Sequence, residues 1–392
     1  MDFYSQAVEI KDEIVFHRRF LHKNAESGNF VPKGMEYIAN TLKNYGIPSQ
    51  LCGNGITATV GSGNPVILLR ADVDALPMEE KSGESFASTT KAAHTCGHDV
   101  HAAMLLGAAK LLKQQEKHLN GTVKFMFQPG EEILAGCKNM LENGLLQNPV
   151  PSAALALHTA AGNMIPGTFM YNGGDVMMLS ADNFTITIKG RGGHGAYPQL
   201  TADPVNAGVH IYSALQSLVC CEVSADKMCV VSVGSFHAGD SGNIIPDSAV
   251  MQGAVRTDDE ATRRFVTKRM GEIVQLAARC FGCTAELVMT SSAPALVCDE
   301  KLTQDIVGYI ETLPLPSKNF VSDIKAAASE DFAYVAQMLP SAYIYLSAGF
   351  DDERGNFTAH NPKVRFNENV LPVGAAVYAH CAANWLKDNF GK

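Results

Sequence analysis

The sequence predicts an α/β protein carrying an inserted α+β unit, and three observations lead there. Continuous apolar runs alternate with helical patterns as far as Leu157, the texture of a layered α/β unit. After Gly173-Gly174 the runs become strands that alternate apolar and polar residues. Patterns like those of the first part resume after Pro294. We therefore expect 1–177 and 293–392 to form the larger domain and 178–292 a smaller domain inserted into it. A chain of 392 residues exceeds what one ordinary core accommodates, which agrees with two domains.

The elements follow in order. Ile10, Ile14, Val15 and Phe16 form a helical stripe that predicts a helix to about Phe20, and a second covers Met35 to Asn44, stopped by Gly46 and Pro48. Pro65 to Arg70 reads as a buried strand suited to a parallel sheet covered on both faces. His98 to Leu112 is small and apolar nearly all round, so it predicts a largely buried helix. A strand at Val123 to Phe127, a helix at Gly136 to Leu146 and a strand at Ala153 to Leu157 complete the series. In the insert, Phe184 to Lys189, Met228 to Phe236, Ser248 to Arg256 and Ala285 to Met289 read as strands. Asp203-Pro204 opens a helix running to about Leu218, and Glu260 to Cys280 forms a long amphipathic one. Helices at Glu300 to Leu313, Ser329 to Met338 and Pro372 to Phe390, with a strand at Ala342 to Leu346, return to the larger domain.

Composition excludes several functions. Hydrophobic residues make up 46% and charged residues 18%, which describes a packed globular protein. A net charge of −9 without a basic run speaks against nucleic acid or an anionic membrane as partner. No apolar run reaches the roughly 18 residues of a membrane span. The start, MDFYSQAVEIKDEIVF, lacks the basic segment and cleavage site of a signal peptide, and ten cysteines then suggest reduced thiols and a cytoplasmic location.

Four short segments carry candidate metal ligands. In His94-Thr-Cys-Gly-His98 a glycine separates cysteine and histidine, so the backbone can turn both toward one ion. Alone, the segment equally suits a core cysteine beside a helix-capping histidine. Glu131 and Glu132 follow a predicted strand, and adjacent carboxylates repel unless a cation is near; a solvated turn is the bland alternative. His158 ends a predicted strand, at the sheet edge where α/β enzymes place their sites, and His360 lies in a loop before the last helix. Together they offer a thiolate, three imidazoles and a carboxylate, enough for two divalent ions if a ligand or water bridges them. Zinc suits such a set, as do manganese, cobalt or nickel. Two ions would hold a hydroxide and polarise a carbonyl, with a neighbouring carboxylate shuttling the proton.

Eight segments occur in one order: RADVDALP (70–77), HTCGHDVH (94–101), FQPGEE (127–132), LHTAAGNMIPGTF (157–169), GRGGHGAYP (190–198), GNIIPD (242–247), SEDFAYV (329–335) and AHNPKVRFNE (359–368). Over essentially its whole length the chain resembles the M20 metallopeptidase family, in the branch of hippurate hydrolases, aminoacylases and auxin-conjugate hydrolases. The resemblance implies a zinc-exopeptidase-like catalytic domain with two metal ions and an inserted lid or dimerisation domain. It places Cys96, His98, Glu132, His158 and His360 on the metal ligands and Glu131 on the general base that activates a metal-bound water. Asp74 falls on the aspartate that orients a ligand, and His194 on a histidine that steadies the oxyanion, from the partner in dimers. Asn243 and Arg256 fall where the substrate carboxylate binds. Asp72 stands where the wider family has a metal-binding histidine, a feature of the amidohydrolase branch that removes it from the ligand set. Asp99 and His101 could tune the ligands, with helix packing the simpler reading of His101.

The implied activity is metal-dependent hydrolysis of the amide bond of N-acyl amino acids, releasing a carboxylic acid and a free amino acid. A dipeptidase or carboxypeptidase is the alternative, and a non-catalytic acyl-amino-acid binding protein a third reading. The edges of the insert's sheet suggest a homodimer through that domain. Other motifs lack context. Gly190-Arg-Gly-Gly-His-Gly195 matches a dinucleotide fingerprint without the helix it needs, and Gly239-Asp-Ser-Gly-Asn243 echoes a serine-protease loop without its partners. Cys280/Cys283 and Cys220-Cys221 read as packing residues.

Overall fold

The computed structural model describes residues 2–391. They divide into two compact units. The larger runs to Met177 and resumes over Val297–Lys325 and from Asp331 onward; the smaller comprises Met178–Leu296 with Ala326–Glu330.

The larger unit is built on an eight-stranded sheet. Its strands, in spatial order, are Ser49–Cys52, Gly55–Gly61, Thr122–Gln128, Val66–Asp72, Ala153–Ala160, Ser341–Ser347, Thr168–Tyr171 and Asn319–Val321. The four central strands run parallel, as their continuous apolar sequences predict. The sheet is nevertheless mixed, because Gly55–Gly61 joins Thr122–Gln128 antiparallel and Thr168–Tyr171 joins Ser341–Ser347 antiparallel. The helix His98–Gln114 is buried along nearly its whole length, packed between the sheet and the helices Lys11–Lys23 and Leu371–Asn389. Its small residues make this possible: a Cβ at Gly107 would press on Ile14 and Ala375.

Two helices differ from expectation. The N-terminal helix splits at Ile10 into Phe3–Glu9 and Lys11–Lys23, so that the first piece packs on Leu371–Asn389 while the second packs on His98–Gln114. The helix expected over Ser329 to Met338 shrinks to Ala333–Ala336. Asp331 instead turns its carboxylate inward, accepting from Gln128 Nε2 at 2.6 Å and from the Cys137 amide at 2.9 Å.

A hydrogen-bonded chain ties the outer helices together. Tyr45 donates to Glu13 (2.7 Å), so its oxygen accepts from His17 Nε2 (2.6 Å), and His17 Nδ1 accepts from Tyr37 (2.6 Å). His17 is therefore neutral, and burial holds its pKa down at about 4.

The smaller unit is an antiparallel four-stranded sheet, ordered Cys229–Ala238, Ser248–Thr257, Ala181–Lys189 and Thr284–Ala293. The helices Pro204–Cys221 and Glu260–Cys280 cover one face, over a core that includes Phe184, Ile186, Ile188, Met251, Ile211 and Val274. Asp203 caps the first helix by accepting from Val205 and Asn206, as the Asp-Pro pair predicts. Buried Asp182 is held by Arg263 through two bonds of 2.7 and 2.8 Å. No helix among the described residues is long and apolar enough to cross a membrane.

Candidate metal centre

The site forms at the C-terminal ends of the parallel strands of the larger unit. Cys96 and His98 flank Gly97, which caps the buried helix with φ +93°. That left-handed turn needs glycine, and a Cβ there would collide with the Thr159 hydroxyl and the Phe366 ring. His158 lies within the Ala153–Ala160 strand, which extends past the expected end, so its ring comes up beside Cys96 with Nε2 3.6 Å from Sγ. Glu131 and Glu132 follow the Thr122–Gln128 strand after Gly130, where φ is +76°. His360 approaches from the C-terminal loop with φ +66°, a strained conformation for a side-chain-bearing residue. Its amide donates to the Thr95 carbonyl at 2.8 Å, which ties that loop to the Cys96 segment.

The donor atoms converge in overlapping groups. Cys96, Glu132 and His360 offer ligand atoms within 4.8 Å of one another, and so do His98, Glu131 and Glu132. Glu132 belongs to both. His158 groups with Asp72, His98 and His101 and lies against Cys96, so the five candidate ligands and Glu131 come together in one unit.

Three features fit this cluster to divalent metal. First, the imidazole tautomers are set. His98 Nδ1–H donates to the Asp74 carbonyl and His158 Nδ1–H to the Thr159 carbonyl, both at 2.8 Å, which leaves each Nε2 lone pair facing the cluster. Second, His98 Nε2 and Glu132 Oε1 are buried 3.9 Å apart without a hydrogen bond. Polar atoms so placed are costly unless something coordinates them. Third, the charge balance asks for a cation. Burial pushes the Cys96 thiol up to about 12 and raises the Glu132 carboxyl, so both resist the anionic form until positive charge arrives.

Asp74 organises the carboxylate loop. Its Oδ1 accepts the Glu131 amide (3.0 Å) and its Oδ2 the Glu132 amide (3.2 Å). Beneath lies a network that sequence reasoning did not assemble. Asp72 is fully buried between Arg70 (2.8 Å) and His101 Nδ1 (2.5 Å). Burial opposes its charge, yet Arg70 with His98 and His101 holds its carboxyl well below the usual range. Thr159 donates its amide to His101 Nε2 at 2.7 Å, so His101 is the neutral Nδ1–H tautomer and burial keeps its pKa low. The helix packing expected for His101 is thus accompanied by a specific polar role, propping Asp72 beside His98 (3.6 Å). The signal available was the RAD segment itself, two charges on a strand otherwise reading as wholly buried. Asp99 points away, to Arg18 (2.7 Å) and His22 (2.8 Å), and anchors the helix instead.

The remaining named residues lie in the smaller unit. His194 is exposed on the short strand Gly193–His194, which pairs with Ile244–Ile245, and its Nδ1 accepts the Ala196 amide at 3.1 Å. The Asn243 carbonyl accepts the Gly195 amide at 2.9 Å, so Asn243 and His194 lie at one two-stranded ribbon. Arg256 lies on the Ser248–Thr257 strand and donates to Ser329. No helix starts at Gly190 to Gly195, and all ten cysteines are free thiols.

Comparison with known proteins identifies the family. The profile of Peptidase family M20/M25/M40 matches residues 68–384. An IAA-amino acid hydrolase, ILR1-like 2, from Arabidopsis thaliana is 35% identical over 400 residues, covering 99% of this chain and 89% of that protein. An N-acetyl-L-cysteine deacetylase from Bacillus subtilis is 33% identical over 387 residues, covering 97% and 89%. The crystal structure of the Bacillus subtilis YXEP protein, described as a dinuclear metal binding peptidase from the M20 family, superposes with a TM-score of 0.78 at 30% identity, covering 97% of this chain and 99% of that one.

Proposed function

The chain belongs to peptidase family M20/M25/M40, and on that premise we propose that it is a metal-dependent amidohydrolase that cleaves the amide bond of N-acyl amino acids. The observation that carries the reading is the convergence of Cys96, His98, Glu132 and His360 beside a second carboxylate, Glu131, with His158 against Cys96. The names of the Arabidopsis and Bacillus relatives support the substrate class.

Cys96, His98, Glu132, His158 and His360 would hold two divalent ions. Zinc or manganese suits the mixed thiolate, imidazole and carboxylate set, with cobalt and nickel as substitutes. When bound, such ions lower the pKa of water and polarise the scissile carbonyl. Glu131 takes the proton from the attacking water and returns it to the leaving nitrogen, so one water is consumed and a carboxylic acid and a free amino acid leave. Asp74 positions both glutamates through their amides. Arg256 and Asn243 bind the α-carboxylate, Arg256 with its two-pronged guanidinium. His194 donates to the developing oxyanion. We place it as a contribution from a second copy, in a homodimer formed through the smaller unit, whose sheet ends in two edge strands. Ten free thiols suit a cytoplasmic enzyme.

The test is amine release from a pool of N-acyl amino acids and dipeptides, followed by mass spectrometry, before and after chelation and after adding zinc or manganese. Release that stops with chelator and returns with metal supports the reading. Faster release from dipeptides than from N-acyl compounds would make it a peptidase, and no release under any metal would refute hydrolysis.

A further inference from the structure

A second feature of the larger unit is a basic pocket of about 470 Å³ on the chain segments that flank His360. Lys81, Arg354, Lys363 and Arg365 line it, with Phe357 and a single carboxylate, Glu353. On a chain of net charge −9 this concentration of positive charge runs against the average and calls for an explanation.

The four cations are not equivalent. Arg354 is held by Asp352 at 2.6 Å and stacks on Phe350, and Arg365 donates to the Ser82 carbonyl and lies 3.5 Å from Glu84. Lys81 and Lys363 have no carboxylate within ion-pair distance among the described residues. The Lys363 ammonium stands over the Phe357 ring at 5.5 Å. Their backbones are tied to the same loop: the Lys81 amide donates to the Pro362 carbonyl at 2.7 Å, and the Lys363 amide to Asn361 Oδ1 at 2.9 Å. Two ammonium groups in one concavity repel each other, and an anion seated between them relieves that repulsion.

Position assigns the anion. Phe357 and Lys363 each lie three residues from His360, so their Cα atoms stand within about 11 Å of that ligand's Cα. A substrate bound at the metal centre has its amide there, while its α-carboxylate is assigned above to Arg256 and Asn243. We propose that Lys81 and Lys363 form a subsite for a second carboxylate, carried at the far end of the acyl group. The preferred substrates are then N-acyl amino acids whose acyl group derives from a dicarboxylic acid. This rests on the amidohydrolase reading; the same carboxylate chemistry could otherwise arrive as a free dicarboxylate, and the experiment separates the two.

The experiment compares N-acetyl-leucine with N-glutaryl-leucine for the metal-loaded enzyme, wild type and Lys81→Ala/Lys363→Ala, and titrates each protein with glutarate by calorimetry. The expected result is a KM for N-glutaryl-leucine raised about tenfold in the double variant, with N-acetyl-leucine almost unaffected. Lys81→Arg/Lys363→Arg should restore the wild-type value, and added salt should weaken the glutaryl preference. If the variant loses glutarate binding while both substrates behave as in wild type, the site takes a free dicarboxylate and the substrate assignment is overturned. If wild type and variant agree in both substrates and in glutarate binding, there is no subsite. Should wild type cleave neither substrate, the amidohydrolase reading fails by itself, and glutarate binding lost in the variant still decides whether the pocket binds carboxylate.

Discussion

Asp74 Oδ1 accepts the backbone amide of Glu131 at 3.0 Å, and its other oxygen accepts the next amide, that of Glu132. One buried carboxylate thus sets where both glutamates of the centre project. Asp74→Asn replaces one acceptor by a donor facing an N–H. We expect metal affinity or kcat to fall about 10- to 100-fold, read from metal stoichiometry and steady-state rates on the same preparation. Unchanged values in both would remove Asp74 from the site.

Glu131 and Cys96 should separate by phenotype. Glu131→Gln should keep its metal yet lose about 10²- to 10⁴-fold in kcat, the range for a positioned proton shuttle. Cys96→Ser should lower bound metal per chain, because the hydroxyl does not supply a thiolate. Metal content measured by mass spectrometry distinguishes them, and a fully loaded Cys96→Ser protein would argue against the cysteine as ligand.

Gly97→Ala tests the turn between the two proposed ligands. The new Cβ must occupy a left-handed backbone and meets Thr159, which also donates to His101. A folded protein with reduced metal affinity is expected, destabilised by about 1–2 kcal/mol or more. Circular dichroism with metal titration checks it.

His17 gives a pH dependence. Its folded pKa is about 4, depressed by burial, against about 6.5 unfolded, so between those values the unfolded chain binds the extra proton. Its contribution is complete above pH 6.5 and declines as pH falls toward 4, by an amount on the order of 3 kcal/mol. His17→Gln should therefore lose less stability than wild type between pH 7 and 5 in denaturant unfolding. Parallel pH profiles would contradict the assignment.

In the smaller unit, Arg263→Ala should cost about 3–5 kcal/mol, because it strands the buried Asp182 carboxylate. Asp182→Asn paired with Arg263→Met should recover part of that. Unfolding curves that do not shift would show the pair to be dispensable.

What the sequence determined is local. Helix starts were legible where a cap and a proline coincide, as at Asp203-Pro204, and buried strands where apolar residues run unbroken, as in Val66–Asp72. The Cys-Gly-His and Glu-Glu segments were each ambiguous alone, and only their combination and the resemblance marked them as candidate ligands. Tertiary structure decided what depends on distant partners. The strand of His158 extends three residues beyond Leu157 because Ser341–Ser347 pairs with it to Ala160. The helix expected from Ser329 gave way because Asp331 found Gln128, some two hundred residues away in sequence. Asp72 and His101 became a support for His98 only once the strand lay beside the helix. A local pattern records which face avoids water and where a helix can begin. It carries no record of which buried charge will meet which, because that is set by the packing of whole elements against one another.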